Sequence, residues 1–172
     1  DPAAVQRAEE VLRSAGQGLA GLRVAMLMYE ENARKINATL AAIHPAASQD
    51  IIPLGRMDSM LEARDRLDQG YLVGMLADRG LGGDATRECD FLGQPAPFPV
   101  GPWRVAAMLR RPVFLMVGLY LGGKRYRIHF EPLADFSALE RGDRDRAIAA
   151  AMARYAARLA PYCRLAPYHW FN

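Results

Sequence analysis

The sequence predicts an α/β fold: a mixed sheet with a parallel βαβαβ core plus a hairpin, and helices on its faces. Three observations predict it. Apolar runs of strand length, "GLRVAMLMY", "DIIPLG" and "YLVGMLA", alternate with stretches of helical periodicity. Each helical stretch closes on glycine or proline, and "PVFLMVGLYL" and "RYRIHFEPL" flank Gly122, Gly123 and Lys124, a hairpin signal. Strands joined through helices lie parallel with right-handed crossovers, and strands buried on both faces read as nearly continuous apolar runs. With 172 residues, 51% of them hydrophobic, the chain is long enough for one core, so residues 1–172 are expected to form a single domain.

The elements follow in order. Asp1 to Ala15 reads as a helix, with Asp1 as N-cap, Pro2 in the first turn and a stripe of Val5, Ala8, Leu12 and Ala15. Gly21 to Tyr29 is the first strand. Ala33, Ile36, Leu40 and Ile43 recur at helical spacing behind Asn32, until His44 and Pro45 end the helix. Asp50 to Leu54 is the second strand, Ser59 and Glu62 have capping-box spacing, and Tyr71 to Ala77 is the third strand. The stretch from Leu76 to Pro102 shows no periodicity and reads as a long loop, of the kind that is more often functional than inert. Pro102 opens a short helix through Arg110, and the hairpin, whose first strand is Val113 to Leu121, is expected to extend the parallel sheet. In its second strand Tyr126, Ile128 and Phe130 alternate with Arg127 and His129, which makes one face wet. Asp143 precedes a last helix with Ile148, Ala151, Met152, Tyr155 and Leu159 on one side, and "LAPY" occurs twice near its end.

Charge and cysteine content narrow the function classes. The net charge is +3 and the pI near 9.1, a mild lean toward anionic partners. No cluster of basic and aromatic residues argues for nucleic acid. Cys89 and Cys163 lie far apart without metal-ligand spacing, so neither a disulfide framework nor a metal site is expected. No apolar run reaches the length of a membrane span. The chain opens on Asp1 and stops on "YHWFN", so both ends read as cut.

Open parallel sheets place ligands beyond the carboxyl ends of their strands. Those ends here carry Glu30 and Glu31, then Arg56, then Asp78 and Arg79. Arg56 and Arg79 are candidates to grip an anion, and Asn32 begins a helix whose free N–H groups face the same rim. The bland alternative is equally open: Asp78 pairs with an arginine and braces the loop, while Asn32 only caps. "RGLGG" lacks the lysine and hydroxyl of a phosphate loop, no nucleophile elbow occurs, and the three histidines stand alone.

The order of "ADRGLGG", "FLGQPAPFP", "RRPVFLM" and the terminal "LAPYHWFN" resembles the late lauroyl and myristoyl acyltransferases of lipid A biosynthesis, within the glycerophosphate-acyltransferase-like superfamily. The resemblance runs from about Gly21 to the end. It implies an enzyme that moves a fatty acyl chain from acyl carrier protein, or a similar thioester, to a hydroxyl of a lipid acceptor. It also implies peripheral association with the cytoplasmic face of the bacterial inner membrane and no cofactor. Such enzymes resemble one another in a histidine followed, after four residues, by an acid. Here Gln49 and Ala134 stand where His44 and His129 would need that acid. Laying the motif ahead of "GLRVAMLMY" matches its acid to Glu10 and its histidine to Val5. Glu10 and Asp78 are therefore the candidate catalytic residues, and Arg56, Arg79 and Asn32 the candidate substrate-binding ones.

The expectation is a partial acyltransferase domain that lacks the histidine motif. Two alternatives stand beside it: a non-catalytic homologue that binds lipid or acyl carrier protein, and an α/β enzyme acting on a soluble phosphorylated metabolite.

Overall fold

The structure is a computed structural model and describes residues 23–29, 50–56, 58–80, 83–123 and 125–169. They fall into two compact units, one within residues 14–76 and the other within residues 77–172. The expected helices at Asp1 to Ala15 and Ala33 to Ile43, and with them the first crossover, lie outside the described residues.

In the first unit, β1 (Val24–Tyr29) is the centre of a three-stranded sheet between β2 (Asp50–Leu54) and β3 (Leu72–Gly74). Both pairings are parallel, as the apolar runs predict. Ala25 and Leu27 of the central strand are buried, and so is Ile52 on the neighbouring edge strand β2. The third strand is shorter than the expected Tyr71 to Ala77. Its last residue, Gly74, sits beside Met26, and a Cβ there would lie 2.6 Å from the Met26 sulfur. The missing side chain gives the thioether room against the sheet.

β2 and β3 are joined by α1 (Ser59–Asp68). The expected capping box does not form. Asp58 is the N-cap and makes no side-chain cap bond, while Ser59 is buried inside the first turn and its hydroxyl donates to the Pro53 carbonyl. Ser59 thus ties the helix back to β2, and Glu62 turns to Arg66, one turn on, at 3.6 Å. Arg66 also forks onto Asp50 at 2.8 and 3.1 Å, and the Asp50 hydrogen bond raises its already high pKa. The guanidinium carbons of Arg66 and Arg23 lie 5.4 and 4.4 Å from the Tyr71 ring centroid, so one ring locates the ends of three elements.

The second unit contains what the sequence presents as a long loop. It is a β-hairpin of β4 (Thr86–Phe91) and β5 (Gln94–Pro99). Leu92 and Gly93, the two turn residues, have φ of 56° and 94°, the pair of positive values a two-residue hairpin turn takes. Register explains how Pro95, Pro97 and Pro99 fit in a strand. Phe91 pairs with Gln94, and the Val100 N–H donates to the Ala85 carbonyl at 2.9 Å, so the even-numbered members of β5 hold the ladder bonds. The prolines occupy the alternate positions, where the nitrogen points away from β4 and no donor is needed. Proline at every second place hides the strand from a composition reading and excludes a register shifted by one residue.

α2 (Gly101–Leu109) follows, opened by Pro102 and closed by Arg110 in the left-handed region at φ 54°. Then β6 (Pro112–Tyr120) and β7 (Tyr126–Asp135) pair antiparallel as a two-stranded sheet of their own, with a bulge at Val113/Phe114. This corrects the expectation that the hairpin extends the parallel sheet. The apolar lengths of its strands are those of sheet interior, but the bonds formed are between the two strands alone.

α3 (Arg144–Leu165) organises the unit. One stripe, with Ile148, Met152, Tyr155 and Leu159, is buried. Tyr155 meets Phe98 at 5.8 Å and Trp103 at 5.3 Å, and Phe98 meets Phe91 at 5.4 Å, all edge to face. A second stripe, four residues apart, follows β7. Arg154 donates to the Leu133 carbonyl at 2.6 Å, Arg158 lies 3.6 Å from Glu131, and the Tyr162 hydroxyl donates to Glu131. Four helical residues rise about 6 Å and two strand residues about 6.6 Å, so the periods match along this seam. The polar side of β7, with His129 and Glu131, is therefore the side the helix covers. Met116, Tyr126 and Ile128, on the other side, are the exposed ones. The alternation in the sequence is real, but its solvent side is the apolar one.

Pro161 is inside α3, while Pro167 stands beyond its end. Around Pro161, Leu159, Ala160 and Cys163 are buried, and the packing holds the helix through the proline. Before Pro167, Ala166 leaves the helix at φ −137°, as a residue preceding proline prefers.

Two stability predictions follow from these contacts. Phe98→Ala should cost about 3–5 kcal/mol in chemical denaturation, because it empties the ring cluster; a loss under about 1 kcal/mol would show the cluster to be unimportant. Pro97→Ala should change stability by less than about 1 kcal/mol, whereas Ala96→Pro should cost roughly 1–3 kcal/mol by removing a ladder donor. Equal effects of the two substitutions would refute the register.

Candidate functional site

Asp78 and Arg79 open the second unit. The Asp78 carboxylate is nearly enclosed, with its side chain 12% exposed, and Arg79 grips one of its oxygens through Nε at 3.0 Å and Nη2 at 2.7 Å. The arginine itself is half exposed. The next residue, Gly80, is packed so closely that a Cβ would lie 2.7 Å from an Asp84 carboxylate oxygen and 3.3 Å from Pro99. A glycine there lets the turn lie against the end of β5 and fixes the direction in which Asp78 and Arg79 leave the chain.

The Asp78 charge is felt by two residues of α3. Burial first, and the Asp78 carboxylate next, push the Tyr155 phenol well above its usual range. The Cys163 thiol is raised by the same two causes in the same order. Two residues of one helical face, eight apart, thus stand near one carboxylate. Both remain neutral at physiological pH, which leaves Tyr155 a hydrogen-bond donor and Cys163 a poor nucleophile. Tyr155 and Cys163 are additions that sequence reading did not assign to the site. Tyr155 was legible as part of an apolar stripe, but nothing in its spacing shows that Asp78 lies beside it.

Arg56 belongs to the first unit. It follows Gly55, which turns the chain at φ 94° after β2, and its guanidinium reaches both Asp58 oxygens at 3.2 Å in an exposed pair. An exposed ion pair of this kind contributes little to stability and exchanges readily with another anion. Of the five candidates read from the sequence, Asp78 and Arg79 are in direct contact and Arg56 pairs locally. Glu10 and Asn32 lie outside the described residues.

The described histidines stand in aromatic surroundings. The His129 ring lies 5.0 Å from that of Tyr162, and its Nε2 is buried without a hydrogen-bond partner. Tyr162 is held by Glu131, and that hydrogen bond, ahead of burial, raises its pKa. His169 lies 6.2 Å from Tyr120, ring to ring. A substrate hydroxyl does not reach the enclosed nitrogen of His129 in this conformation. Among the described residues no group of three or more His, Cys, Asp or Glu is placed to hold a metal ion, and no helix is long and apolar enough to cross a membrane.

Comparison with known proteins gives a family. No curated protein matches the chain. A family model described as "Bacterial lipid A biosynthesis acyltransferase" matches residues 16–172, which takes in both units, the Asp78–Arg79 pair, both hairpins and α3. On that match, the chain belongs to the bacterial lipid A biosynthesis acyltransferase family.

Proposed function

We propose that this chain serves the transfer of a fatty acyl group from acyl carrier protein, or a similar thioester, to a hydroxyl of a membrane lipid such as a lipid A precursor. Its place of work in this reading is the cytoplasmic face of the bacterial inner membrane, with peripheral attachment. The observation that carries the reading is the family match over residues 16–172. The reaction needs the acceptor hydroxyl to lose its proton as it attacks the thioester carbonyl, and donors to stabilise the oxyanion before the thiolate leaves. In this scheme Arg79, half exposed and held by Asp78, presents its free edge to a phosphate or to the carrier-linked thioester. Arg56 exchanges Asp58 for an anionic substrate group. Asp78 fixes the arginine, while Asn32 and Glu10, which lie outside the described residues, keep their expected roles of contacting an anion and orienting a base.

A second reading rests on one feature of the sequence: a histidine followed after four residues by Asp or Glu does not occur among the 172 residues. A homologue that binds lipid or acyl carrier protein without catalysis fits that feature. The experiment that separates the two is an assay with radiolabelled acyl carrier protein and a lipid acceptor, run on the 172-residue chain and on the product of the whole gene. A positioned general base contributes about 100- to 10,000-fold in rate, so the chain alone should be slower by that factor. Equal rates would place the base within this sequence, with His129 and His169 the first to replace. No transfer by either protein would favour the binding homologue.

The arginines make a second test. In the active protein, Arg56→Ala or Arg79→Ala should lower kcat/KM by about 1.5–3 kcal/mol for each charge-assisted bond lost. Unchanged kinetics with both replaced would return them to bracing roles. Asp78→Asn should lower the rate if the carboxylate orients Arg79 for substrate, and only the melting temperature if it does no more than hold the turn.

A further inference from the structure

The β6–β7 hairpin turns an apolar face outward. Met116, Tyr120, Tyr126 and Ile128 on that face are 62%, 45%, 66% and 52% exposed, and Phe114 and Phe130 extend it along the strands. The face is built rather than incidental. Gly118 has no side chain, Ile128 lies across the space at 3.3 Å from where a Cβ would be, and Tyr120 and Tyr126 pair at 5.2 Å beside the turn. The Tyr120 hydroxyl is anchored on the Gly123 carbonyl. An apolar surface of this extent on one side of a sheet marks an interaction site.

Charge says what kind. Residues 91–130 contain Arg104, Arg110, Arg111, Lys124, Arg125 and Arg127 and not one Asp or Glu, although the whole chain has 19 acids against 22 Lys and Arg. Arg125, at the hairpin turn, stands next to Tyr126, one of the paired tyrosines. Apolar side chains on a flat face, aromatic rings with polar tips at one end and cations beside them are the three components of a surface that enters an anionic bilayer interface. An acidic protein would use the cations but leave the Met116–Ile128 face without a match.

We infer that the outer face of the β6–β7 hairpin is a lipid-docking surface, with Met116, Ile128 and Phe130 entering the acyl boundary and Arg125 meeting anionic headgroups. The inference rests on the reading that the acceptor is a membrane lipid, and it assigns the surface through which the protein meets that membrane. Both cysteines, Cys89 and Cys163, are buried and free, so a cysteine introduced by Tyr126→Cys takes an environment-sensitive fluorophore selectively.

With vesicles of phosphatidylglycerol and phosphatidylethanolamine, the label at position 126 should shift to the blue, and with phosphatidylcholine vesicles it should not. A label placed by Glu88→Cys on exposed β4 should stay unshifted in both. In co-sedimentation with the anionic vesicles, the Met116→Asp/Ile128→Asp double variant should bind at least about tenfold more weakly than the unmodified protein. Arg125→Glu should lose binding to anionic vesicles. Because these side chains are exposed, the variants should melt with the unmodified protein. An unshifted label at position 126 would overturn the assignment. So would undiminished binding by the double variant, or a shift that appears with acyl carrier protein and not with vesicles. The acyl-transfer reading fails separately, through absence of transfer to a detergent-dispersed acceptor by the whole gene product, a reaction that needs no bilayer.

Discussion

The second unit depends on one long helix with two different sides in use. α3 buries Ile148, Met152, Tyr155 and Leu159 among the rings of β5 and α2, and sends Arg154, Arg158 and Tyr162 to β7. Two separate two-stranded sheets, each marginal alone, are held by the same rod. Tyr155 joins them to the candidate site, because its ring fills the core while its hydroxyl end lies under the influence of Asp78. Packing and chemistry thus meet in one residue.

Where the sequence was legible, short apolar runs made it so. β1 and β2 were read from such runs, and their parallel pairing from the helical spacing around them. The third strand is shorter than its apolar run because only Leu72–Gly74 find partners on β1. The β4–β5 hairpin was hidden, since three prolines in six residues contradict strand propensity, and only the register shows that they miss the ladder. At the start of α1, local spacing suggested a capping box, and a tertiary bond from Ser59 to Pro53 prevailed. The β7 alternation was readable as a period but not as a direction. Which side a helix covers is decided by partners far along the chain, and here His129 and Glu131 lie on the covered side together with the buried Leu115 and Leu119 of β6.

The site was legible as residue types, less so as relations. Asp78 and Arg79 attract notice from sequence as a charged pair at the end of an apolar run, and their mutual fork is what adjacency favours. Tyr155 and Cys163, more than seventy residues away, stand out only once α3 is placed. Arg56 shows how an arginine at a strand end remains available: its partner Asp58 is exposed, so solvent competes with the pair continuously. The family adds the reaction class, acyl transfer, which no spacing within the described residues supplies.

The prolines of β5 have an effect beyond their own strand. An exposed strand edge offers alternating donors and acceptors, and any passing extended chain can add to it. The outer edge of β5 offers acceptors without the matching amides, so an incoming strand finds its own carbonyls facing carbon. Sheet growth from that side is chemically blocked however high the protein concentration rises. An edge of this kind can stand at the margin of a domain without becoming a seed for aggregation.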